Sequence, residues 1–201
     1  DKLDPIKVYY VNGKLYVADG AHRLIALIMN GEGKIQVEIL NCSTEMEAAI
    51  TFLAQQSGRK AMTVSDTYRA GIKANIKEYV EFKNIFESEN IQITVEKELL
   101  ANPVGKITPS ATALRWANRD KEMLLKVIRL IKDLEWCGSE KNAFGLRNFS
   151  VIKRLYATYG EAIAKDKLMK NCKGAAFYES KVAPVKSNAE LFDILSAEIS
   201  K

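Results

Sequence analysis

Histidine occurs once in the 201 residues, at position 22, and cysteine only three times. With a single histidine and scattered acids, no Ser/His/Asp triad, paired-carboxylate site or Walker loop is specified. Cys42, Cys137 and Cys172 are far apart, odd in number and without metal-ligand spacing, which excludes both a disulfide framework and a zinc site. No run of about eighteen uncharged apolar residues is present, so no membrane-spanning helix is expected. The first residues, Asp1-Lys2-Leu3-Asp4-Pro5, do not read as a signal peptide. A cytoplasmic protein without a membrane partner is the expectation. An excess of one charge sign is nearly lacking too: 30 basic residues stand against 25 acidic ones, for a net charge of +5. That balance suits a nucleic-acid or nucleotide partner without demanding one. No internal repeat or low-complexity segment appears.

What is present begins at Leu15. Leu15-Tyr16-Val17 favours a strand, Asp19-Gly20 is a turn dipeptide, and from Arg23 the chain reads Leu-Ile-Ala-Leu-Ile-Met, the pattern of a buried helix. Glycine at a strand-to-helix junction admits a ligand close to the backbone, and the first turn of a helix has unpaired N–H groups and a positive dipole end. Gly20, Ala21, His22 and Arg23 therefore form a candidate phosphate site. His22 is suited to donate to phosphate or to act as acid or base near neutral pH, and Arg23 to donate a forked pair of N–H groups. Asp19 either bonds its own backbone in the turn, orients Arg23, or ligates a metal beside the phosphate.

The stretch Asp19-Gly20-Ala21-His22-Arg23, between a strand and an apolar helix, resembles the signature of the ParB/sulfiredoxin-like superfamily. The resemblance implies an α+β fold, with a small sheet and helix at the N-terminus followed here by a mostly helical region. It also implies that this turn holds nucleotide phosphates, CTP or ATP with magnesium being the expected cofactors. A second ParB signature, Glu-Asn-x-x-Arg, corresponds to Gln55-Gln56-Ser57-Gly58-Arg59, which makes Arg59 a further phosphate ligand. Gln55 and Gln56 replace the pair that holds magnesium in that family, and hard divalent cations prefer charged oxygens. Ala21 stands where sulfiredoxin chemistry needs a cysteine, so that activity is not expected.

In chain order, Ile6 to Tyr10 and Leu15 to Val17 flank Asn12-Gly13, a hairpin signal. The helix after Gly20 ends near Asn30-Gly31, and Ile35 to Ile39 alternates as a third strand. The resemblance implies one more strand and a helix before the hairpin, so a ParB/sulfiredoxin-like domain over residues 1–62, lacking these, precedes a helical domain over 63–201. A homodimer or a swapped arrangement is a corresponding expectation. Thr44 opens a helix through Leu53. Ser65-Asp66 opens a long one expected to reach Glu87, and Ile91 to Val95 is a short strand or link. Thr108-Pro109 opens a helix to Asn118, and a strongly apolar one follows from Asp120. Further helices are expected over 148–159, 161–171 and 188–199, with Gly174 to Pro184 left as a loop.

The two helices over 109–134 allow a helix-turn-helix, with Arg115, Arg119 and Lys126 among the DNA-phosphate contacts. The functional expectation is a ParB-like nucleotide- or DNA-binding protein of plasmid, phage or chromosome-partition type. A ParB-like nuclease using His22 and a non-catalytic interaction scaffold are the alternatives.

Overall fold

The computed structural model describes residues 4–11, 13–56, 63–96 and 99–201, with the side chains of Gln55 and Gln56 excluded. The protein is α+β, with a three-stranded mixed sheet, a separate two-stranded sheet and many helices. It divides into two compact units, residues 1–80 and 81–201. No described helix is long and apolar enough to cross a membrane.

The first unit is built on the sheet β2-β1-β3, with β1 at Ile6–Val11, β2 at Lys14–Asp19 and β3 at Val37–Ile39. β1 pairs antiparallel with β2, Val8 opposite Val17 and Tyr10 opposite Leu15, and parallel with β3, Ile6 opposite Val37. The hairpin read from Asn12-Gly13 therefore forms; Asn12 itself lies outside the described residues. Alternation sends Tyr9 and Val11 to one face, where they pack with Ala18, Leu40, Cys42 and Ala48. Ala48 belongs to α2, Glu45–Gln56, so that helix lines this face. A reciprocal cap starts α2: Thr44 Oγ1 accepts from the Glu47 N–H at 3.1 Å, and Glu47 Oε2 accepts from the Ser43 N–H at 2.6 Å.

On the other face lies α1, Ala21–Met29. Its C-terminus is a Schellman turn: Gly31 has φ +75°, its N–H donates to the Ile28 carbonyl, and the Glu32 N–H donates to that of Leu27. The expectation of a buried helix does not hold, since α1 contains no buried residue. Nor is β3 covered: Val37, Glu38 and Ile39 are all exposed. The apolar run specifies a helix, but nothing in its own sequence supplies a neighbour to cover its outer flank.

The long helix expected from Ser65 to Glu87 is two. α3 covers Val64–Lys73, with Thr63 as its N-cap, and α4 covers Lys77–Ser88. Asn75 at φ +52° breaks the run, its N–H donating to the Ile72 carbonyl and that of Ile76 to the Gly71 carbonyl. The break brings the Tyr79 ring over Gly71, so close that a Cβ there would lie 2.2 Å from it, and edge-on to Tyr68.

The second unit is a helical core. It also holds a parallel pair of short strands, β4 (Ile91–Ile93) and β5 (Gly105–Ile107). α5 is Ala111–Arg119, capped by Ser110 rather than by Thr108, and α6 is Lys121–Asp133. α7 (Leu146–Tyr159), α8 (Glu161–Asn171) and α10 (Asn188–Ile199) agree with the periodicity. Between the last two, the presumed loop is helical: α9, Ala175–Phe177, continues into a π turn at Tyr178–Val182. Its anchor is the buried Tyr178, whose hydroxyl donates to the Asn142 carbonyl at 2.9 Å while its ring lies 5.3 Å from that of Trp136.

Candidate phosphate site

The turn between β2 and α1 is organised by Asp19. Its Oδ1 accepts from the Gly20 N–H at 2.8 Å, and its Oδ2 lies 3.9 Å from Arg23 Nη2. Arg23 Nη1 donates to the Asp4 carbonyl, so the guanidinium ties the turn to the segment entering β1. Gly20 has φ +89° and ψ +20°, a left-handed conformation costly for any L-residue. Space also selects glycine here. A Cβ at residue 20 would lie 3.0 Å from Arg23 Nη2 and 3.3 Å from Ile6 Cγ1.

The helix begins immediately after this left-handed residue, and Leu24 is the first whose N–H reaches back, donating to the Gly20 carbonyl at 2.9 Å. Among the described residues, the N–H groups of Ala21, His22 and Arg23 have no acceptor, as expected of a first helical turn without a side-chain cap. Successive amides around such a junction converge on a concavity suited to anions. They border an open depression of about 320 Å³ lined by residues 17–23. Ala21 and His22 are exposed there.

The structure thus brings Asp19, Gly20, Ala21, His22 and Arg23 together. Arg59 lies outside the described residues; Gln55 and Gln56 are the last two residues of α2. Sequence reading missed the Asp4 carbonyl as an acceptor for Arg23 and Ile6 as the wedge under Gly20. Neither has a motif, because both are set by the strand pairing. Asp19 takes the turn-forming and Arg23-orienting roles together. Among the described residues, no group of three or more His, Cys, Asp or Glu side chains is arranged to hold a metal.

The residues proposed for DNA are all in the second unit. Arg115 and Arg119 are exposed on α5, one helical turn apart. Lys126 is engaged: its ammonium donates to Glu161 Oε2 at 2.7 Å, and this bond and charge raise its pKa. Only Asp120 separates α5 from α6, where a helix-turn-helix has a turn of three or four residues. α6 buries Leu124, Val127, Ile128, Leu130 and Ile131, and Glu89 holds its Arg129 and Lys132. The apolar face of α6 belongs to the core of the second unit.

No protein-family model, curated protein or solved structure matches the chain.

Proposed function

We propose that the first unit is a ParB-like nucleotide-binding module in which the Gly20–Arg23 turn holds the phosphates. The observation carrying this reading is the set of three amides without an acceptor among the described residues, Ala21 to Arg23, opening onto one depression beside a left-handed glycine. Each amide donates one hydrogen bond along the direction in which the helix dipole favours negative charge. His22, exposed at the rim, adds a ring N–H donor, and Arg23 adds the forked cation.

Asp19 supports the site by acting on the turn: it fixes the Gly20 amide and holds Arg23 near the depression. Its negative charge beside Arg23 also limits the field the phosphate meets, so binding of a polyphosphate requires the guanidinium to turn from Asp19 toward the ligand. The plasmid, phage or chromosome-partition role belongs to the same proposal, with nucleotide as the ligand and DNA as a partner. Arg115 and Arg119 are the DNA contacts the exposed surface favours. Catalysis with His22 as acid or base at the bound phosphate is the alternative reading.

Isothermal titration with CTP, ATP and ADP, with and without magnesium, tests the proposal. Saturable binding that His22→Ala weakens and Arg23→Ala abolishes is the expected result. Absence of binding by all three nucleotides, with the protein folded by circular dichroism, removes it.

A further inference from the structure

The second unit carries an open cleft of about 310 Å³, lined by two segments, residues 103–106 and 139–143, together with Gln92 and Cys137. That volume lies at the lower end of the range for small-ligand pockets. The lining is held in place by hydrogen bonds from its own side chains. Asn142 ties the two segments: its Nδ2 donates to the Lys106 carbonyl at 2.8 Å, its Oδ1 accepts from the Lys106 N–H at 3.3 Å, and its own carbonyl accepts from the Tyr178 hydroxyl at 2.9 Å. The buried Gln92 is fixed in the same way, its Oε1 accepting from the Leu100 N–H at 2.8 Å and its Nε2 donating to the Ile93 carbonyl at 2.9 Å. At Gly105 a Cβ would lie 2.3 Å from the Phe144 ring, so glycine is what lets the chain after residue 143 come this close to β5.

With these amide side chains engaged, the charges are what the cleft has to offer a ligand. Lys106, Lys141 and Glu140 are exposed lining residues, and among the described residues none of the three makes an ion pair. Two cations against one acid favour a monoanion over a polyphosphate. Pro103, Val104, Ala143 and the half-buried Cys137 supply carbon and sulfur surface. Burial pushes the Cys137 thiol up from its ordinary range, so at neutral pH it faces a ligand as a soft neutral group and not as a competing anion.

We propose that this cleft binds a small organic carboxylate, its charge met by the Lys106 and Lys141 ammoniums and its short carbon body lying against Pro103, Val104 and Ala143. A carboxylate can accept from two ammoniums at once, and lysine's three donors on a flexible stem adapt to it. Inorganic phosphate gains the charge but not the carbon contact. An alkylammonium gains the carbon contact but meets two like charges, and Glu140 at the same rim disfavours a second negative charge on the ligand. The site shares no residue with the Gly20–Arg23 turn and lies wholly within the second unit. Its donors are side-chain ammoniums, whereas those of the turn are backbone amides.

Amide NMR of the nitrogen-labelled full chain, titrated with sodium butyrate, tests the proposal. The expected result is that the signals of Val104 to Lys106 and of Ser139 to Ala143 shift together and saturate at roughly millimolar butyrate, as suits so small a ligand. Lys106→Met and Lys141→Met, both at exposed positions, each weaken binding about tenfold, the loss of one charge-assisted bond, while Arg23→Ala leaves it unchanged. Butylamine, with the same carbon body and the opposite charge, leaves these signals in place. No shift, shifts that rise without saturating, shifts at Ala21 to Arg23 in place of the cleft, or equal affinity for inorganic phosphate each overturn the proposal. Undiminished binding by the double variant Lys106→Met/Lys141→Met overturns it too. Variant spectra that superpose on that of the natural chain away from the two segments separate loss of binding from loss of fold.

Discussion

Replacing Gly20 and Gly31 by alanine, one at a time, isolates what the turn requires of its glycine. Both residues sit in the left-handed region, at φ +89° and +75°, so each alanine brings the same conformational penalty of about 1–2 kcal/mol. They differ in surroundings. Nothing lies within 4 Å of a Cβ built at Gly31, whereas at Gly20 it meets Arg23 Nη2 at 3.0 Å and Ile6 Cγ1 at 3.3 Å. The guanidinium can swing away; the β-branched Ile6, buried in the sheet, cannot. A further ~1 kcal/mol of overpacking is therefore assigned to Gly20→Ala, for a total of about 2–3 kcal/mol against about 1–2 for Gly31→Ala. Hydrogen–deuterium exchange of peptides covering β1 and β2 reads this difference in the first unit directly. Phosphate affinity separates the two variants more sharply. Moving Arg23 weakens nucleotide binding about tenfold or more, equivalent to ~1.4 kcal/mol, while Gly31→Ala at the far end of α1 leaves it unchanged. Equal loss of protection in the two variants, together with equal affinities, refutes the assignment of Gly20 as a close-approach residue.

Four more consequences are measurable. Glu89 in the second unit is desolvated by burial, but its bonds to Lys132 at 2.8 Å and to Arg129 at 3.2 Å outweigh that and hold its carboxyl below the ordinary carboxylate range. The stability it adds is present above the ordinary carboxylate pKa and lost as pH falls through the lowered one; Glu89→Gln thus costs ~1–2 kcal/mol at neutral pH, with Arg129 contributing little because it is exposed, and almost nothing in strong acid, read by tryptophan fluorescence during urea unfolding. Gly71→Ala drives a methyl into the Tyr79 ring and destabilises the first unit by about 1–3 kcal/mol, an effect that Tyr79→Ala in the same chain largely removes, measured by hydrogen exchange of α3. The Cys172 thiol is wholly buried and its pKa pushed up to about 12 by desolvation, so iodoacetamide labels it only after unfolding, as mass spectrometry of the alkylated chain shows. Asp19→Asn keeps an Oδ1 acceptor for the Gly20 amide and removes the charge beside Arg23, so titration shows tighter nucleotide binding; unchanged or weaker binding refutes that restraint.

The elements legible in the sequence are those whose signals are local. The hairpin around Gly13, the start of α2 after Thr44, the helix end at Asn30-Gly31 and the apolar spacing of α10 involve residues a few positions apart, and each forms as read. Illegible features depend on partners more distant in sequence. The break at Asn75 is held by Tyr79 over Gly71, and the register of Ile76 to Glu87 alone is an uninterrupted helix pattern. β5 is three residues long and is defined by its parallel partner β4 and by Asn142, whose side chain bonds both the N–H and the carbonyl of Lys106. The helical segment after Gly174 rests on Tyr178 reaching Asn142 and Asn148. At the site, Gly20 to Arg23 was visible because turn chemistry is short-range, whereas the Asp4 and Ile6 contacts required the sheet.

On the proposed reading, α1 gives the turn two tasks, binding and structure. A helix with no buried residue is not held by its face, and its two ends do more of the positioning than is usual. At the C-terminus the Schellman turn satisfies the last carbonyls. The N-terminus is held by Asp19 on the Gly20 amide and by Arg23 bridging Asp19 to the Asp4 carbonyl. These are the groups that face the depression. Under the proposed reading, a phosphate across the amides of Ala21 to Arg23 would satisfy the helix donors that lack an acceptor, at the end that Asp19 and Arg23 hold. The same geometry makes Arg23 a shared resource between the empty and the occupied turn: bound to Asp19 it fixes the helix, and turned to phosphate it leaves that task to the ligand. On that reading, ligand affinity and the anchoring of α1 are coupled through one guanidinium.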